Sequence, residues 1–86
     1  MSPPPITKAE AAAALGAVVR LHRKRAGLTQ EGLAERAGIS TKHAAHVERG
    51  ERSVTVYVLR QIAGALGTPL AQLVTEMDDR LGTQAG

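Results

Sequence analysis

The residues of this chain with the most chemical reach lie in one stretch. From Gly27 to Gly50 it reads GLTQEGLAERAGISTKHAAHVERG, with Arg52 two positions beyond. His43 and His46 stand three apart, a spacing that lets two imidazoles share a helical face and ligate a metal. A third ligand is then required, and Glu48 is the nearest candidate. Catalysis has less to work with. The acids are scattered, no phosphate-cradling loop is present, and no serine stands beside a plausible base. A domain this small also offers little room for a water-excluding pocket, so no enzyme activity is expected. The third chemistry is recognition of a polyanion. A helix with small and polar residues on its outer face, flanked by cations, has the width and the donors to enter the DNA major groove and hold its phosphates.

Charge and composition agree with the last of these. The chain has 86 residues and a formal net charge of +3. Residues 1–60 hold ten of the eleven Lys and Arg and five of the eight acids, for a net +5, while residues 61–86 net −2. The positive charge therefore sits on the part that would face a polyanion. Hydrophobic residues make up 43% of the chain, but Tyr57 is the one aromatic, so the core must be aliphatic. Cysteine is absent, which excludes disulfides, thiolate metal sites and cysteine nucleophiles. No apolar run approaches the ~20 residues that span a bilayer, and the proline-rich start is no signal peptide. A cytoplasmic location, away from membranes, is expected.

Five short helices must position these residues, which makes the fold class all-α. A proline-rich tail over residues 1–6, read as disordered, precedes a domain over 7–81. A flexible tail over 82–86 follows it. Thr7 and Glu10 form a capping box ahead of an alanine run, and this helix continues to Gly27 with Leu15, Val18, Val19 and His22 inward. Thr29 caps a second helix that buries Leu33, Ala34 and Ala37 and stops at Gly38. Ile39 is buried in the turn, and Ser40 caps a third helix ending near Gly50, with Ala44 and Val47 toward the core. Thr55 opens a fourth helix with Val56, Leu59, Ile62, Ala63 and Leu66 inward. Thr68-Pro69 starts a fifth, with Leu70, Leu73, Val74, Met77 and Leu81 along one stripe. Glu76, Asp78 and Asp79 near its expected end oppose the helix dipole, so a frayed last turn is expected. The second and third helices are joined so tightly that they cross steeply, and the third projects from the surface.

The ordered set Leu15-Gly16, Arg20, Arg23, Gly27-Leu28-Thr29-Gln30, Leu33-Ala34, Ala37-Gly38-Ile39-Ser40, Val47-Glu48-Arg49-Gly50, Ile62-Ala63 and Ala65-Leu66-Gly67 resembles the phage-repressor (Cro/cI, XRE) type of helix-turn-helix family. The resemblance covers residues 15 to about 74. It implies a compact lambda-repressor-like domain of five helices, acting as a homodimer on a palindromic operator in double-stranded DNA. Carried over by position, Thr41, Lys42, Ala45 and His46 read bases and Gln30 grips the backbone; His43, and Arg49 and Arg52 flanking the glycine turn after the third helix, are expected to hold phosphates beside it. Lys42 suits guanine O6 and N7, His46 suits guanine N7 or a phosphate, and Ala45 suits a thymine methyl. The resemblance also implies an internal ion pair between Arg23 and Glu48. Glu48 would then not complete a metal site, so neither metal nor cofactor is expected. The chain departs from the family's pattern at His22 and Ala44, where larger aliphatics are usual.

The apolar stripe of the fifth helix exceeds what one short helix needs. Leu70, Leu73, Val74 and Met77, with Tyr57 and its neighbours Val54 and Val58, are therefore expected to form a dimer seam. One helix-turn-helix reads too few bases for useful selectivity alone. At this size no ligand-sensing domain is expected, which suits a repressor or a restriction–modification controller-like autoregulator. Activation would require contact with RNA polymerase, for which Glu31, Glu35 and Glu51 are the exposed acids. The competing class is a protein-interaction module of the same shape, an antitoxin or adaptor that does not read DNA.

Overall fold

The computed structural model describes residues 5–51 and 53–85, with side chains through residue 82. Arg52 and the first four residues of the expected N-terminal tail lie outside the described residues. Five helices follow in order: α1 (Lys8–Arg25), α2 (Gln30–Ala37), α3 (Thr41–Arg49), α4 (Val56–Leu66) and α5 (Leu70–Ala85). No strand occurs among the described residues.

Local chemistry accounts for most of the boundaries. The hydroxyls of Thr7, Thr29, Ser40 and Thr55 accept from the backbone N–H of Glu10, Gly32, His43 and Val58 at 2.9–3.1 Å. Each cap satisfies a donor that the helix itself leaves unpaired and contributes about 1 kcal/mol. At the other end of α2, Gly38 takes φ 71°, a left-handed conformation costly for any residue with a Cβ. The reversed backbone lets Gly38 and Ile39 donate back to Glu35 and Ala34 at 3.3 and 3.0 Å. Ile39 is thereby laid, half-buried, against the core.

The core is aliphatic throughout. Leu15, Val19, Leu33, Ala37, Val47 and Ile62 form one cluster, joining α1 to α4. Val18, Ala63 and Leu73 form a second that brings α5 down onto α1 and α4. Leu33, Ile62 and Leu73 have no exposed surface, which is worth ~1.5–3 kcal/mol per side chain. α1 packs on α3 and α5, and α2 packs on α3 and α4.

Several expectations need correction. Val56 does not face inward: it is 76% exposed, because it is the first residue of α4, outside the stripe that Leu59, Ile62, Ala63 and Leu66 turn toward the core. Leu73 cannot belong to a seam, since α1 and α4 already enclose it. Leu70, Met77, Val54 and Val58 likewise lean on the chain's own core. The stripe that looked excessive is wide because α5 meets two clusters. α5 also continues helical to Ala85, past the expected end at residue 81. Leu81 is buried, so the acids at 76, 78 and 79 lie inside the helix instead of at its terminus.

Candidate nucleic-acid interface

α3 is held from behind and left open in front. Ala44 and Val47 are 1% exposed and anchor one side of it in the core. Two glycines bring α1 unusually near. A Cβ on Gly16 would stand 2.6 Å from the Glu48 carbonyl oxygen, and one on Gly50 would stand 2.7 Å from Ala13 Cα. Both lie inside any allowed contact, and the clashing atoms are backbone, so larger residues would force α3 away from α1.

An ion pair fixes the far end. Arg23 Nε donates to Glu48 Oε2 at 2.6 Å and Nη2 donates to Oε1 at 3.0 Å, while Nη1 donates to the Leu28 carbonyl at 2.8 Å. The guanidinium thus ties α1 to α3 through a two-pronged bond and to the α1–α2 turn through a third. The Glu48 side chain is 3% exposed and that of Arg23 is 12% exposed. Gln30 joins the same network, its Nε2 donating to Glu48 Oε1 at 3.2 Å. The amide expected to hold a phosphate is therefore engaged with Glu48. It still lines a surface cleft of about 470 Å³ with Arg23, Thr29, Glu31 and Thr41, at the start of α2 and α3.

On the open side, Thr41 and Lys42 are exposed, and His43, Ala45 and His46 are half-buried. Ser40, Lys42, His43 and His46 line a second cleft of about 300 Å³. Of the sequence-derived candidates on this helix, Lys42, Ala45, His46 and Arg49 turn away from Ala44 and Val47, His43 stands one turn before Val47 at the margin of that face, and Thr41 lines the first cleft with Gln30. At its end, Arg49 Nε and Nη2 donate to Glu51 Oε1 and Oε2 at 2.7 and 3.3 Å. His46 Nε2 lies 3.4 Å from Glu51 Oε2. The hydrogen bond from Arg49, and then the carboxylate's charge, raise the Arg49 pKa above its ordinary value. Among the described residues no group of three or more His, Cys, Asp or Glu is placed to hold a metal ion. No helix among them is long and apolar enough to cross a membrane.

Two contacts escaped the sequence reading. Glu51 was read only as an exposed acid, and its hold on Arg49 depends on how the chain turns at Gly50. His22, read as an inward residue, meets Glu76 of α5 with Nε2 and Oε2 2.9 Å apart. The departure from the family's apolar residue at His22 was the signal, but its partner lies 54 positions away.

Comparison with known proteins places the chain in a class. The model of a helix-turn-helix domain family matches residues 14–83, and the chain belongs to that family, in its phage-repressor-like branch. An HTH-type transcriptional regulator of Sinorhizobium fredii is 43% identical over 60 residues, which cover 70% of this chain and 77% of the relative. Control protein C.SmaI of Serratia marcescens is 42% identical over 57 residues, or 66% of this chain and 68% of that protein. The immunity repressor of Bacillus phage phi105 is 36% identical over 62 residues, covering 72% of this chain and 43% of the repressor. Among solved structures, the clp gene regulator ClgR of Corynebacterium glutamicum superposes with a TM-score of 0.83 at 30% identity, covering 98% of this chain and 84% of that one.

Proposed function

We propose that this protein is a sequence-specific regulator of transcription that binds double-stranded DNA and performs no catalysis. The observation that carries the reading is the two-sidedness of α3. Ala44 and Val47 are sealed in the core, Glu48 is clamped to α1, and Thr41 and Lys42 stand in solvent beside Ala45 and His46. A rod anchored in this way enters the major groove without paying to order itself first. Lys42 and His46 supply donors for guanine, Ala45 and Thr41 supply methyl contacts, and each good pair discriminates by ~1–3 kcal/mol. We assign His43 and Arg49 to the DNA backbone, with Gln30 and the amides opening α2 at the other edge. Arg52 completes the phosphate set.

The protein acts as a homodimer on a two-fold operator, because one α3 reads too few base pairs for a useful specificity ratio. The relatives named as a controller and as an immunity repressor support an autoregulatory or repressing role. Regulation by contact with RNA polymerase would use Glu31 and Glu35, which are exposed on α2.

Selection from a random duplex library tests the reading. The wild-type chain enriches a two-fold motif, and Lys42→Ala and His46→Ala each flatten the motif at a defined position while the helical circular dichroism is retained. The same motif from both variants overturns the groove assignment. No enrichment by the wild-type chain at low salt favours an interaction module instead.

A further inference from the structure

The end of α3 carries a second, more exposed ion pair. Two side chains of its last turn, those of Arg49 and His46, converge on one carboxylate, and that carboxylate belongs to the residue just after the helix stop. Arg49 offers Glu51 both prongs of its guanidinium, at 2.7 and 3.3 Å, and His46 Nε2 stands 3.4 Å from the same group. This is the geometry in which an arginine fork takes a phosphate. The side chains of Arg49 and Glu51 are 57% and 46% exposed. An ion pair so open to water is weak and is readily exchanged for another anion. It contrasts with the Arg23–Glu48 pair, which is enclosed and structural.

We infer that Glu51 is an internal competitor for the nucleic acid, an anion that fills the fork of Arg49 until a DNA phosphate displaces it. The inference rests on α3 being the DNA-reading helix. Each binding event must exchange Glu51 for phosphate at Arg49 and accept a carboxylate beside the backbone. Through Arg49, Glu51 therefore lowers affinity on every sequence alike. Any change of motif is confined to the position that His46 reads, since its Nε2 stands beside the same carboxylate.

The test compares duplex binding by the whole chain and by Glu51→Gln across a salt series. Glu35→Gln, an equal change of charge on the exposed side of α2, is the control. The neutral amide leaves Arg49 to phosphate. Glu51→Gln is expected to bind both the selected motif and random duplex more tightly, with a logarithmic salt slope steeper by about 0.9. Its advantage over wild type is then about 3.5-fold larger at 50 mM than at 200 mM salt. With Arg49→Ala already present, the gain from Glu51→Gln is expected to shrink. A gain no larger than that of Glu35→Gln overturns the inference, as does a gain that survives in full without Arg49. If neither the wild-type chain nor Glu51→Gln binds any duplex at low salt, the inference and the DNA-binding reading both fall. If the wild-type chain binds and Glu51→Gln is no tighter, only the inference falls.

Discussion

Arg23 gathers two carboxylate oxygens and a backbone carbonyl around one guanidinium. Removing it strands Glu48, whose side chain is 3% exposed, with only the amide of Gln30 nearby to answer its charge. Breaking an enclosed pair from one side typically costs ~3–5 kcal/mol, a large part of what a small domain possesses. Arg23→Ala should therefore lower the urea midpoint by that equivalent, and Arg23→Lys should restore only part of it, because an ammonium cannot fork. An unchanged midpoint in Arg23→Ala would remove the pair from the account of stability. This contact was foreseeable only through the family resemblance. Nothing in the types of Arg23 and Glu48 separates them from the chain's other charges. Gln30 shows the limit of that route, since position alone assigned it to phosphate while its amide also reaches Glu48.

Among the elements, α1 and α5 are joined by a polar contact in an otherwise aliphatic seam. His22 donates to Glu76, Gln72 donates to the same carboxylate, and Arg25 adds its charge. The hydrogen bond from His22 is the largest influence and holds the Glu76 pKa below its ordinary 4.5, against the opposing pull of burial. A carboxyl whose folded-state pKa is depressed adds stability above its unfolded value, and that stability disappears as pH falls through the folded value. Thermal melts from pH 7 down into the acid range should show wild type losing more stability below about pH 4.5 than Glu76→Gln does. Parallel losses would deny the contact any role. The helix starts and stops were legible in the sequence because they are local, set by a hydroxyl three residues ahead or a glycine behind. The extent of α5 was not legible. Its acids argued for a frayed last turn near residue 81, and the burial of Leu81 inside the longer helix is a long-range fact.

Across the whole molecule, the apolar surface left in water is modest. Val56 and Tyr57 are 76% and 70% exposed at the start of α4, Val74 is 40% exposed on α5, and Ile6 is 49% exposed ahead of α1. A homodimer built on α4 and α5 would cover the first three. Tyr57→Asp should then halve the mass seen in sedimentation and weaken binding to a two-half-site duplex more than to a single half-site. An unaltered mass would move the seam elsewhere. The α-helical class and the helix boundaries were legible in glycine spacing and aliphatic periodicity. The division of apolar residues between core and surface was less so, because one stripe on α5 serves two clusters and leaves Val74 outside both. The same aliphatic interior has a practical result at the bench. With no tryptophan and with its one tyrosine already in solvent, the chain's ultraviolet emission should stay nearly flat while the core melts. It should dim or shift when another macromolecule settles over Tyr57, so the light this protein gives off reports its company and not its fold.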